Sequence, residues 1–203
     1  ILPLGLFRRW DFTGIAVANG LVAFSGFAVM LIAPYFLLRL THLDVTMAGL
    51  VLATSPLGVA VISARAGWLI EKLGARRTAA LAAALTAIGL AGIGLWPAYP
   101  GPVAMVVPLF LTGAGLGLFQ VSSMDVITGT MSLAERGVAG GLAQVTRTVG
   151  VITAASLLSL AFATLGGGRD VTDEAFLHAF GWLFLAAALP PALVAVAMLR
   201  AKR

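Results

Sequence analysis

The feature that most constrains this chain is a set of six apolar stretches, each long enough to cross a lipid bilayer. A spanning helix needs about 20 mostly apolar residues to traverse roughly 30 Å of hydrocarbon. The stretches cover about 13–38, 47–70, 78–96, 103–127, 137–165 and 176–199. The breaks between them hold the charges and turn formers, at 39–44, 71–77, 96–102, 132–136 and 166–170. A β-barrel would show alternating strands of about ten residues, and these runs do not alternate. The expected fold is an all-α membrane protein with six transmembrane helices at 13–199, a lead-in over 1–12 and a tail over 200–203.

Composition agrees. Hydrophobic residues make up 60% of the chain and charged residues 10%, with a mean hydropathy of +1.03. A water-soluble domain carries about a quarter of its residues charged, so this chain could not cover itself in water. Its 24 glycines follow no collagen period and suit helices that pack closely in lipid. Without cysteine there is no disulfide framework and no thiolate metal site. The net charge of +5 does not imply nucleic acid. No basic stripe lies on a soluble amphipathic element, and membrane proteins concentrate Lys and Arg on cytoplasmic loops for topological reasons.

That bias sets the orientation. Counted by loop parity, one side holds Arg8, Arg9, Lys72, Arg76, Arg77, Arg136, Arg200, Lys202 and Arg203, and the other only Arg39 and Arg169. Both ends of the chain are therefore expected in the cytoplasm, in a multi-pass protein of the cell membrane. The chain opens at Ile1 without a signal peptide's order of basic, apolar and cleavage regions. It reads as a segment of a longer protein.

The six stretches differ in polarity. The first carries Asn19 and Ser25; the second Thr54, Ser55, Ser63 and Arg65; the fourth Thr112, Gln120, Ser122, Ser123 and Asp125. The fifth is the most polar, with Gln144, Thr146, Arg147 and Thr148 among others, whereas the third and sixth are nearly plain. The order polar, polar, plain occurs twice. It predicts two three-helix repeats, with the third helix of each facing lipid.

Between the second and third stretches stands Gly67-Trp-Leu-Ile-Glu71-Lys72-Leu-Gly74-Ala-Arg76-Arg77. Gly67 would let two helix backbones approach closely, and Gly74 would permit a tight turn at a φ other residues avoid. Glu71 and the basic cluster offer charge pairs at the membrane edge; the plainer reading is that the cations only fix topology. This pattern resembles the signature between the second and third helices of the major facilitator superfamily, with Glu71 where Asp is usual. The resemblance implies a six-helix half of that fold and a gating role for the loop. It also implies that an acid at the cytoplasmic end of the next triplet's first helix joins the cluster. Asp125 holds that place, so it is expected to pair with Arg76 or Arg77 when the cytoplasmic side is closed.

Arg147 lies ten residues beyond Gly137, about 15 Å into its helix at 1.5 Å per residue. An Arg at that depth is costly and should face protein or a water-filled cavity. Gln144 is three residues earlier on the same face. These two are the leading candidates for the transport path, with Gln120 and Asn19 beside them; a structural Arg capping broken-helix carbonyls is the alternative. Arg65 is shallower and is expected to snorkel. Gly113 and Gly117 form a GxxxG spacing suited to close packing. Together with the Gln144-x-x-Arg147 run and the opening Pro3-to-Phe12 segment, it resembles the second half of the fourteen-helix drug:proton antiporters.

The resemblance implies export of small, often amphipathic compounds against proton entry. Substrate would bind between two halves, with the N-terminal half of the same transporter as partner. The stretches a transport path would use are the first, second, fourth and fifth, and the third and sixth would brace it. With Asp125 as the one membrane-embedded acid, near an edge, the main proton site would belong to the other half. An importer of a small metabolite is a second reading. An intramembrane enzyme is a third, which the residues oppose. The two histidines, His42 and His178, sit at outer helix ends, and no serine lies in a G-x-S-x-G setting. No catalytic residue, metal site or cofactor is indicated.

Overall fold

The computed structural model describes residues 10–133, 135–165 and 171–200. Arg8, Arg9, Arg169, Lys202 and Arg203, and most of the expected lead-in and tail, lie outside the described residues. Among the described residues eight helical segments form the fold: α1 (Trp10–Arg39), α2 (Val45–Leu52), α3 (Thr54–Ser63), α4 (Ala66–Leu73), α5 (Ala75–Gly94), α6 (Pro102–Thr130), α7 (Arg136–Thr164) and α8 (Asp173–Arg200). They make six spans long and apolar enough to cross a membrane, α2 and α3 together forming the second.

The second stretch, expected as one helix over 47–70, is broken twice. Pro56 has no N–H to donate to the Leu52 carbonyl, and its ring crowds that carbonyl, so the helix kinks between α2 and α3. Backbone bonds from Ala53 to Gly49 and from Leu57 to Ala53, both donated by N–H, hold the chain helical on either side. At Ala64 and Arg65 the ladder tightens, with Arg65 N–H donating to Ile62. The span therefore ends at Ser63 after 19 residues, about 28 Å at helical rise. Arg65 stands exposed just beyond it, and α4 runs on as a short segment ending in Glu71 and Lys72.

The proline inside α6 is handled locally. Pro108 in α6 frees the carbonyl of Ala104, and the Trp96 indole Nε1 donates to it at 2.8 Å. In a bilayer such freed groups persist only when a neighbour satisfies them.

Packing interleaves the two triplets. The first triplet is α1, α2–α4 and α5; the second is α6, α7 and α8. The main contacts run between them: α1 with α7, and correspondingly α6 with α3; α5 with α6, and correspondingly α8 with α1; α5 with α8, and α1 with α6. Exchanging the first, second and third helix of one triplet for those of the other maps this set of contacts onto itself. That is the arrangement expected of two three-helix repeats.

Glycines decide how closely the helices approach. A Cβ on Gly113 would fall 1.9 Å from the Ser55 carbonyl oxygen, and one on Gly117 2.8 Å from that of Val59, so the GxxxG face of α6 lies on α3. Gly115, on the other side of α6, faces Thr86 of α5, while Gly89 of α5 faces Thr112 of α6, each Cβ position within 2.4 Å of a threonine Oγ1. Thr86 and Thr112 turn their hydroxyls onto their own helices, donating to the carbonyls of Ala82 and Pro108. On α1, Gly20 meets α7, where a Cβ on Gly150 would sit 2.2 Å from the Gly20 oxygen.

Burial within this chain does not follow polarity. α5 is the most buried span, and the polar spans α2–α3 and α7 are the least buried within this chain. The physical reason is side-chain size: Ala79, Ala80, Ala82, Ala83 and Gly89 let α5 press against α6 and α8. Polar content did not report packing.

At the end opposite the Glu71–Arg77 loop, an aromatic cluster closes the bundle. Phe36, Trp96, Phe180 and Phe184 pack together with centroid separations of 4.5 to 5.8 Å, mostly with tilted rings, and Phe162 and Phe176 extend the cluster. Arg39, ending α1, pairs with Asp173 of α8 at 3.0 Å, donates to the Val171 carbonyl and lies over the Phe176 ring.

Candidate functional site

The deepest polar groups converge. Asn19 is nine residues into α1, Arg147 eleven residues into α7, and Gln120 ten residues before the end of α6. At 1.5 Å per residue these depths are about 14, 16 and 15 Å from the same end of the bundle. Three helices thus bring their polar side chains to one level near mid-span. There they line a cavity of about 170 Å³, whose remaining walls include Phe27, Met30, Leu116, Phe119 and Val151. Polar groups at one level among apolar and aromatic walls are the usual make-up of a small-molecule site.

Each polar residue plays a distinct part. Asn19 is nearly buried and donates from Nδ2 to the Ala143 carbonyl at 3.0 Å, which ties α1 to α7 at the cavity's edge. Gln120 is exposed toward the open side. Arg147 is half-buried and, among the described residues, makes no hydrogen bond or ion pair with protein. Among the described residues no acidic side chain lines the cavity. Gln144, expected beside Arg147, is exposed and is not part of the lining. Three residues along a helix turn the side chain by about 300°, so the two diverge by about 60°. α3, expected among the path-lining helices, also contributes nothing, because it packs on α6 away from the cavity.

Sequence reasoning missed the apolar half of this site. Phe27, Met30 and Phe119 carry no motif, and apolar residues in an apolar helix give no signal of which face meets a cavity. Gly26, where a Cβ would press on the Leu116 side chain, also belongs to the lining.

The loop between α4 and α5 has the turn its glycine implied: Gly74 adopts φ 82° and ends α4. Thr78, fully buried, donates from Oγ1 to the Gly74 carbonyl at 3.0 Å and lies 3.3 Å from that of Leu69. Gly67 differs from expectation, since a Cβ there would meet nothing within 4 Å and it faces outward from this chain. Glu71, Lys72, Arg76 and Arg77 are all exposed, and Lys72 Nζ lies 4.1 Å from the Trp68 ring centroid.

Asp125 is exposed in the last turns of α6, and among the described residues no ion pair joins it to Arg76 or Arg77. The antiparallel register of α5 and α6 nevertheless places them level. Thr86 faces Gly115 and Gly89 faces Thr112, and the same register carried onward sets Arg76 opposite position 125. Arg76 and Arg77 also occupy the first turn of α5, where the helix dipole disfavours cations. An anion beside them would relieve that. Among the described residues no group of three or more His, Cys, Asp or Glu is placed to hold a metal ion.

Comparison with known proteins bears on this architecture. A family model described as Major Facilitator Superfamily matches residues 15–203. The chain is 29% identical over 161 residues to the uncharacterized transporter YebQ of Escherichia coli (strain K12), a match covering 79% of this chain and 35% of that protein. It is 27% identical over 162 residues to the riboflavin transporter RibZ of Clostridioides difficile (strain 630), covering 80% of this chain and 36% of that protein. The matches thus span little more than a third of the length of these curated relatives.

Proposed function

This chain belongs to the Major Facilitator Superfamily, and on that premise we propose that it forms part of a proton-coupled secondary transporter that exports small amphipathic compounds. The observation that carries the reading is the cavity where Asn19, Gln120 and Arg147 meet from three helices at one depth. Polar groups are costly inside a bilayer unless they serve a path or a partner. Their convergence on a lined space favours a path.

In this reading the interleaved triplets move as one body. Gly113 against Ser55, Gly89 against Thr112 and Gly150 against Gly20 leave no slack between helices, and Arg39 pins α1 to α8. Alternating access then comes from rocking against an N-terminal half of the same transporter. The exposed apolar faces of α3 and α7 are the surfaces available for that half. The loop from Gly67 to Arg77 lies on the cytoplasmic side of the cell membrane, as do both ends of the chain. Asp125 pairs there with Arg76 or Arg77 in the closed state, and Gln144 meets substrate or partner on the rim. The acid that carries the proton belongs to the other half.

Import of a small metabolite is the second reading; the likeness to a protein named as a riboflavin transporter supports a metabolite as its substrate. The test is transport by the full-length protein in inverted membrane vesicles under an imposed proton gradient. Export predicts gradient-driven uptake of amphipathic compounds into those vesicles. Uptake only in right-side-out vesicles would favour import, and no movement in either would refute transport.

A further inference from the structure

The charge balance of the cavity restricts what it can hold. Among the described residues its one charged wall group is Arg147, and Asn19 and Gln120 are its other polar side chains. Asn19 has already committed one of its two amide N–H donors to Ala143. Arg147 is half-buried about 16 Å from the helix start and, among the described residues, has no protein counter-charge. A guanidinium cannot lose its proton to escape that position, and it presents five donors and no acceptor. What it lacks is an anionic or acceptor oxygen. Around it, the half-buried Phe27 and the exposed Met30 offer flat and polarizable contacts suited to an aromatic ring. The volume of 170 Å³ is below that of a whole drug-sized pocket, so one end of a ligand would fill it.

Resting on the transport reading above, we infer that this half selects its substrate by an anionic oxygen group. The substrate class is an aromatic amphiphile bearing a carboxylate or similar oxyanion, which Arg147 binds while the ring lies against Phe27 and Met30. Gln120, on the open side, supplies an amide donor to the same group. Organic cations of the same shape are disfavoured, because the cavity gives them a like charge and no acid.

The test uses the full-length protein in nanodiscs, without any gradient, and two fluorescent probes of one shape and opposite charge. Anthracene-9-carboxylate and 9-(aminomethyl)anthracene are titrated by equilibrium binding. The wild type should bind the carboxylate about tenfold or more tightly than the amine, the size expected of one charge-assisted contact in a partly desolvated site. Arg147→Gln should abolish that preference, and Arg147→Lys should keep its direction with weaker binding. Equal or reversed preference in the wild type would overturn the inference, as expected if an acid from the other half neutralises Arg147. So would a preference that survives Arg147→Gln. If that variant does not purify as monodisperse protein, Arg147→Lys decides, since loss of its carboxylate preference is equally fatal. Because binding is read without a gradient, its failure is separable from failure of transport. Vesicles that move the amine but not the carboxylate would leave transport standing and end this assignment. An Arg147-dependent preference with no movement of either compound would do the reverse.

Discussion

Replacing Gly113 by Ala should separate α3 from α6, and the size of the effect follows from the geometry. The new Cβ would lie 1.9 Å from the Ser55 carbonyl oxygen and 2.7 Å from its carbon. Ordinary contact begins near 3.4 Å, so the two backbones must part by more than about 1 Å or deform. The obstacle is backbone, which cannot swing aside like a side-chain tip. Overpacking of this kind costs about 1–3 kcal/mol, and a backbone obstacle belongs at the upper end. Parting the helices also loosens Gly58 from Phe110 and Gly117 from Val59. Against this, Ala is better than Gly in a helix by about 1 kcal/mol. A control removes that gain from the comparison. Gly140 also lies within a helix, but a Cβ there would meet only Met124, at 3.7 Å or beyond. Gly140→Ala should therefore be neutral or stabilising, and Gly113→Ala should be less stable than it by about 2–3 kcal/mol. Reversible unfolding of the full-length protein in mixed micelles, titrated with SDS, measures the difference. If the two variants are equally stable, the close α3–α6 contact does not exist and the packing argument fails.

Other perturbations have defined outcomes. Gly74→Ala places a side chain at φ 82° and should destabilise by about 1–2 kcal/mol, read as a lowered midpoint in the same titration. Arg39→Ala removes the ion pair with the exposed Asp173 and a bond to a backbone carbonyl. The pair itself is worth at most about 1 kcal/mol because it is solvent-screened, and the loss should shrink in high salt. A loss independent of salt would assign the effect to packing on Phe176. Asn19→Leu removes the bond from α1 to the Ala143 carbonyl, a contact worth about 0.6 kcal/mol on average between membrane helices. Its larger effect should be on probe binding in the cavity; unchanged binding would count against Asn19 as a wall residue. Asp125→Asn should raise cytoplasmic accessibility of cysteines placed near Gln120, and unchanged labelling rates would reject the latch with Arg76 and Arg77.

The stretch-by-stretch reading located the spans because membrane partition is a property of one segment at a time. Twenty apolar residues favour lipid whatever their neighbours do. The turn at Gly74 was equally local, since a positive φ is set by one residue. The site was legible only in part. Arg147, Gln120 and Asn19 betrayed themselves by polarity at depth, and counting residues placed them on one level. Gln144 lies outside the cavity lining because proximity along a helix does not ensure a shared face. Phe27, Met30 and Phe119 gave no sign, since nothing distinguishes an apolar side chain that lines a cavity from one that meets lipid.

The sequence alone thus determined six spans, the side on which charge collects and the twofold recurrence of polar, polar, plain. The tertiary structure decided which helices touch. In lipid, apolar surface does not drive helices together, since the acyl chains are as apolar as leucine. Association follows close backbone approach, and here glycines and alanines set it. For that reason the plain α5 is the most buried span, the polar α7 is among the least buried within this chain, and Arg147, without a partner among the described residues, faces a space between three helices.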